Sequence, residues 1–197
     1  MIDALRPCYE LDIETGNALL PGLNIDQIHQ QSLYASDPLG VFFIEDFQTI
    51  LNKEWTQHLE SLGLFVSSCV LFYRDPEYQR LDAHVDLQHK GSICYYGCNF
   101  VLDPNDDAYM VWYDATPDTG IFTTEPNNEP HLYWPIEKVM HKEIFRKFIG
   151  RQLTIVNTSI PHNIVMGKLP RWCISIRFSN PVSSWEQAVD LFKNHIK

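Results

Sequence analysis

The chain has 197 residues, 45% hydrophobic and 13% aromatic, which is enough apolar material for one sizeable core and too short for two ordinary domains. Charged residues make up 20%, which excludes global disorder. Acids outnumber bases by 25 to 15, giving a net charge of −10, which argues against a general binder of nucleic-acid phosphates.

At the start, MIDALRPCYELD lacks a basic stretch followed by an apolar one, so no signal peptide is expected. Residues 24–36 place Ile25, Ile28 and Leu33 on one side of a predicted helix, with Asn24 as its cap. GVFFIEDF at 40–47 follows Pro38 and Gly40 and reads as a strand. The stretch 51–63 aligns Leu51, Trp55, Leu59 and Leu62 on one helical face and stops at Gly63. From 64 the texture changes to aromatic and β-branched runs: LFVSSCVLFYRD, GSICYYGCNFVLD at 91–103, YMVWYDA at 109–115, RQLTIVNTS at 151–159 and RWCISIRFS at 171–179. DPEYQ, DPNDD, PNNEP and MGKLP supply turns between them, a pattern of a sandwich or barrel. PIEKVMHKEIFRKFIG at 135–150 reads as a helix ended by Gly150. The closing stretch 183–197 reads as a helix capped by Ser183 or Ser184, with Glu186 or Gln187 completing a capping box.

The expected organisation is one domain: support over 1–63, a β-rich core over 64–179 with an insertion near 103–150, and a C-terminal helix over 183–197. No stretch approaches the roughly 18 apolar residues of a membrane span. The five cysteines form no CxxC pair, which suits a reducing cytoplasm. Residues 103–138 hold eight acids and one lysine, read either as a solvated face or as a rim favouring a cationic or zwitterionic substrate.

The chemistry-bearing residues are His84, Asp86 and His162. His84 and Asp86 stand in LDAHVDLQ, and residues two apart on an extended chain point the same way. An imidazole and a carboxylate so placed can take adjacent positions around one metal ion. His162, in NTSIPHNIV at the end of the penultimate strand, completes a two-histidine, one-carboxylate face if the fold brings it alongside. Such a face with open positions opposite suits non-haem Fe(II) oxygenases, whereas zinc hydrolases more often use three histidines or two with a glutamate. Nine residues after His162 comes Arg171, opening RWCISIRF. On a strand, Arg171, Cys173, Ser175 and Arg177 share one face and Trp172, Ile174, Ile176 and Phe178 the other. A buried arginine requires an anion, and if no protein carboxylate is there a ligand carboxylate held bidentately is the natural candidate.

HVD at 84–86, PH at 161–162 and Arg171 on the next strand resemble the Fe(II)- and 2-oxoglutarate-dependent dioxygenases. YRDPEYQRLDAHVD resembles the segment leading into the first ligands of the prolyl-hydroxylase-type members. LTIVNTSIPHNI is similar to the second-histidine strand of the aspartyl/asparaginyl and free-proline hydroxylase branch. The resemblance covers about 64–179. It implies a mainly β fold with flanking helices, a cupin-like double-stranded β-helix or jelly roll. It implies Fe(II) held by His84, Asp86 and His162, with 2-oxoglutarate as cosubstrate and its distal carboxylate on Arg171. Asp86 argues against the related halogenases, which carry a small residue there.

Further candidates stay open at this level. Tyr73 fits a cosubstrate contact, as the resemblance implies, or a core or rim aromatic. Ser175 fits an aid to the Arg171-bound carboxylate or a satisfied strand hydroxyl. Arg177 lies about 20 Å beyond Arg171 on an extended chain, too far to grip the same carboxylate, which leaves a structural pair or a substrate contact. Asn99 borders the site with its direction unset. His89 is a substitute ligand second to Asp86, and His131 and His141 read as exposed polar residues. Cys94 and Cys98 read as buried cysteines, and Trp112, Tyr113 and Trp134 as core or pocket walls.

The expected function is a cytoplasmic hydroxylase using O2 on a small polar substrate such as an amino acid or derivative, with no nucleic-acid or membrane partner. A peptidyl side-chain hydroxylase is the nearest rival. A non-redox jelly-roll module binding a metabolite or sugar, and a cupin-like protein using Zn²⁺ or Mn²⁺, are the others.

Overall fold

The computed structural model describes residues 6–24, 39–44, 46–77, 82–87, 93–102, 107–123 and 131–197. The predicted helix over 24–36 and the candidate His89 lie outside these residues. Among the described residues twelve strands form two antiparallel sheets of six. The first sheet runs β1 (Cys8–Glu10), β10 (Thr154–Asn157), β5 (Tyr96–Val101), β12 (Arg171–Phe178), β3 (Val66–Arg74), β2 (Leu39–Ile44). The second runs β7 (Ile121–Thr123), β8 (His131–Pro135), β4 (Asp82–Val85), β11 (His162–Val165), β6 (Tyr109–Tyr113), β9 (Glu143–Phe148). From β3 to β6, and again from β10 to β12, each successive strand lies in the opposite sheet.

The pleat decides what each face does. Tyr96, Cys98 and Phe100 of β5 join Ile174 and Ile176 of β12 in the largest buried cluster. Two helices cover that face: α1 (Lys53–Ser61) brings Trp55 and Leu59, and α3 (Trp185–Phe192) brings Ala188, Val189 and Phe192. The predicted helix 51–63 is thus α1, capped by Asn52, whose side chain accepts from the Glu54 amide. The closing helix is shorter than 183–197 and is capped by Ser184, with Gln187 reaching back to the residue before the cap. Ser184 accepts from the Gln187 amide, and the Gln187 side chain accepts from the Ser183 amide at 2.9 Å. Between the sheets, Val101, Val156 and Cys173 of the first meet Met110 and Trp112 of the second in one buried cluster. A third cluster, with Val111, Tyr113 and Trp134, lies on the far side of the second sheet under α2 (Ile136–Val139). Trp112, Tyr113 and Trp134 are therefore core residues.

Two expectations about 103–150 are corrected. The segment is no insertion: its described residues supply β6 to β9, four of the six strands of the second sheet. The predicted helix over 135–150 is helical only to Val139, passes through a 3-10 turn at Met140–Lys142, and becomes β9. The apolar residues of EIFRKF, Ile144, Phe145 and Phe148, keep a helical spacing, and as a strand the segment leaves Ile144 and Phe148 exposed. Pairing with β6 decides, because it sets Phe145 opposite Trp112 with ring centroids 5.8 Å apart. The outer edges of the two sheets meet through Lys147 of β9 and Glu10 of β1, an ion pair at 2.7 Å. That pair holds the Glu10 carboxyl below the usual carboxylate range. Among the described residues no helix is long and apolar enough to cross a membrane.

Candidate metal centre

Three chain segments converge to build the site. His84 is on β4 and faces inward, and the strand ends one residue later. Asp86, two positions on, points the same way, as the HxD spacing predicts. Its backbone is fixed on both sides: its amide donates to the Thr158 carbonyl at 3.0 Å and its carbonyl accepts from the Cys94 amide at 2.9 Å. His162 opens β11, a strand of its own in the second sheet, rather than ending the strand over 151–159. The link between them is built by NTSIPH. The Asn157 side chain accepts from the Ser159 amide at 2.9 Å and the Ser159 hydroxyl at 2.7 Å, which turns the chain as β10 ends. Pro161 fixes the next step, and its carbonyl accepts from the Tyr113 amide at 2.9 Å.

β4 and β11 are antiparallel neighbours with His84 directly opposite His162, so two imidazoles share one face with ring centroids 4.6 Å apart. Asp86 Oδ1 lies 3.7 Å from Nε2 of each histidine. One donor atom from each of the three lies within 4.8 Å of the others. His162 Nδ1 is 3.0 Å from the Ile160 carbonyl. A carbonyl only accepts, so Nδ1 carries the proton and Nε2 turns its lone pair to the centre. His162 is buried, while Asp86 keeps 22% of its side chain exposed, so the centre opens on the Asp86 side.

The triad stands at one end of a cavity between the sheets. The first sheet lines it with Phe72 and Arg74 of β3, Asn99 of β5, and Arg171, Cys173, Ser175 and Arg177 of β12. The polar face predicted for β12 is therefore the cavity face. Arg171 is 4% exposed and pairs in register with Arg74, also buried, which puts two guanidinium groups on neighbouring strands at the cavity's inner end. Asn99 and Ser175 are register partners, and among the described residues Asn99 Oδ1 and Ser175 Oγ are buried with no hydrogen-bond partner. These orphaned atoms, facing a cavity with a histidine–carboxylate set at one end, fit a bound polar ligand.

Tyr73 is corrected. It lies on the opposite face of β3 from Phe72 and Arg74, packs against Trp172 with ring centroids 4.6 Å apart and planes tilted by 46°, and is absent from the cavity lining. Arg177 is the residue whose partner the sequence did not reveal: Nη2 donates to Asp86 Oδ2 at 3.1 Å and Nη1 to the Tyr96 carbonyl at 3.0 Å. Burial works against the Arg177 cation, but Cys94 and Asp86 beside it offset this and raise its pKa. Arg74 and Thr158 are cavity residues that sequence reasoning missed; the register partner of Arg171 was the missing signal for Arg74. Cys98 is buried in the main core, and burial pushes its thiol well up. Cys94 is half-buried beside Arg177, 3.6 Å from Nη1. His141 is exposed, and His131 opens β8.

A His-Asp-His set, His84, Asp86 and His162, thus lies within metal-binding distance. No protein-family model matches the chain, and no curated protein matches it.

Proposed function

We propose that the protein is an Fe(II)- and 2-oxoglutarate-dependent oxygenase that hydroxylates a small polar substrate, an amino acid or derivative. The observation that carries this is one cavity with two chemically distinct ends. One end holds His84, Asp86 and His162 within 4.8 Å of each other, and the other holds buried Arg171 beside Arg74. The alternation of successive strands between two antiparallel sheets supports a double-stranded β-helix as the finer fold.

His84, Asp86 and His162 would hold the iron through Nε2, Oδ1 and Nε2. Two imidazoles and one carboxylate suit a borderline divalent ion such as Fe(II), with positions left for other ligands. Fe(II) together with 2-oxoglutarate and O2 supplies oxidative hydroxylation, with succinate and CO2 as coproducts. Arg171 would bind the distal carboxylate of the cosubstrate bidentately, with Ser175 Oγ and Asn99 completing the polar wall between. Phe72, Met110, Ile164 and Cys173 keep the remaining walls apolar, which strengthens each charged contact by excluding water. The net charge of −10 supports a small polar substrate over a nucleic acid.

Anaerobic titration with Fe(II), with and without 2-oxoglutarate, tests the reading. A visible metal-to-ligand charge-transfer band appearing only with both is the expected result. Metal binding with no such band would reject the cosubstrate and leave a metalloprotein of other chemistry. With the band established, succinate release against amino acids, peptides and oligonucleotides separates the substrate classes; release stimulated only by long peptides would favour a peptidyl hydroxylase.

A further inference from the structure

The two oxygens of Asp86 have different neighbours. Oδ1 faces both histidines at 3.7 Å, whereas Oδ2 accepts from Arg177 Nη2 at 3.1 Å. Arg177 is itself held by a second contact, Nη1 to the Tyr96 carbonyl at 3.0 Å, so one planar group bridges β5 and the residue that follows β4. Space for it is made at Gly97. A Cβ there would stand 2.9 Å from Arg177 Nη1 and 2.9 Å from Ser175 Oγ, closer than side-chain carbons approach such atoms. A side chain at 97 would press on the Arg177 guanidinium and the Ser175 hydroxyl and make them shift.

We propose that Arg177 is a positioning residue of the metal centre: by occupying Asp86 Oδ2 it holds the carboxylate to a single ligand oxygen, Oδ1. The inference rests on the metal-centre reading above. A carboxylate free to rotate about its terminal bond can close on an ion through both oxygens and consume a coordination position. One whose second oxygen accepts a charge-assisted hydrogen bond from a fixed guanidinium stays monodentate, and that position remains for an exchangeable ligand. Lysine would keep the charge but not the fork, since a single ammonium does not reach the Tyr96 carbonyl and Asp86 Oδ2 in the same plane.

Mn(II) binding to the full chain tests this without any turnover. Electron paramagnetic resonance of free Mn(II) gives the affinity, and water-proton relaxation gives the exchangeable waters on the bound ion. Arg177→Met is expected to weaken Mn(II) binding by about 10- to 100-fold, the usual effect of losing a group that orients a ligand. It is also expected to lower the number of exchangeable waters, which a purely structural role would leave unchanged. Arg177→Lys is expected to recover part of the affinity. Gly97→Ala, which keeps the arginine and fills its space, is expected to shift both readings in the same direction by less, and it carries the test if Arg177→Met fails to fold. Folded Arg177→Met, or Gly97→Ala in its place, with the affinity and water count of the native protein would overturn the inference and leave the metal centre standing. No Mn(II) binding by the native protein would remove both.

Discussion

Along β12, alternate residues live in two different environments. Trp172, Ile174, Ile176 and Phe178 belong to the helix-covered cluster of the first sheet, while Arg171, Cys173, Ser175 and Arg177 line the cavity. Ile176 and Ser175 are both essentially inaccessible, at 0% and 1%. One touches the carbon of the core, and the other presents an oxygen without a hydrogen-bond partner among the described residues. Burial alone therefore does not tell stability from function here; the kind of atom buried, and whether it is satisfied, does. The strand's period of two keeps the two tasks within one element and apart in space.

Substitutions on the two faces should separate accordingly. The largest effect belongs to the helix side. Ile176→Ala is expected to cost about 2–5 kcal/mol in denaturant unfolding, through lost transfer energy and the cavity left behind, while metal affinity per folded molecule stays unchanged. A matching loss of metal affinity in the folded fraction would erase the division between faces. On the cavity side, Arg171→Leu is expected to raise the 2-oxoglutarate dissociation constant by roughly 10- to 100-fold, the value of a charge-assisted bidentate contact. Calorimetric titration in the presence of Mn(II) reads it, with Mn(II) binding itself little changed. Equal cosubstrate affinity in the variant would remove Arg171 from the role proposed for it. The smallest effect belongs to Ser175→Ala, about 2- to 10-fold in the same titration with little loss of stability, because the hydroxyl has no hydrogen-bond partner among the described residues to lose. A large stability loss there would show that Ser175 is structural.

The same strand shows what the sequence made readable. RWCISIRF alternates without interruption, so its two faces could be assigned from residue order, and HVD needed only an extended chain to place His84 and Asp86 together. Other features depended on partners far along the chain. Tyr73 and Phe72 are adjacent aromatics in LFYR, and nothing local says which of the two faces the cavity; the register with Trp172 and Cys173 decides it. EIFRKF carries the helical spacing of Ile144, Phe145 and Phe148, and only β6, by offering Trp112 to Phe145, makes it a strand. The length argument for Arg177 concerned only the carboxylate expected at Arg171. It was silent about Asp86, which reaches Arg177 from a segment attached to the opposite sheet.

The backbone bracket around Asp86 has a consequence for how an ion is received. The Asp86 amide is tied to Thr158, and the Thr158 hydroxyl donates to the Cys94 carbonyl at 2.8 Å, so the loop bearing the carboxylate is knotted to the segment that leads into His162. The His162 ring is oriented by Ile160 in that same segment. The ligands are thus assembled by the polypeptide's own hydrogen bonds. The chain-ordering entropy of bringing them together is met during folding rather than on loading, unlike small zinc domains whose folding waits for the ion. An ion bound here, as proposed, would enter a receptacle already built by the fold and would add to stability by mass action on the native state.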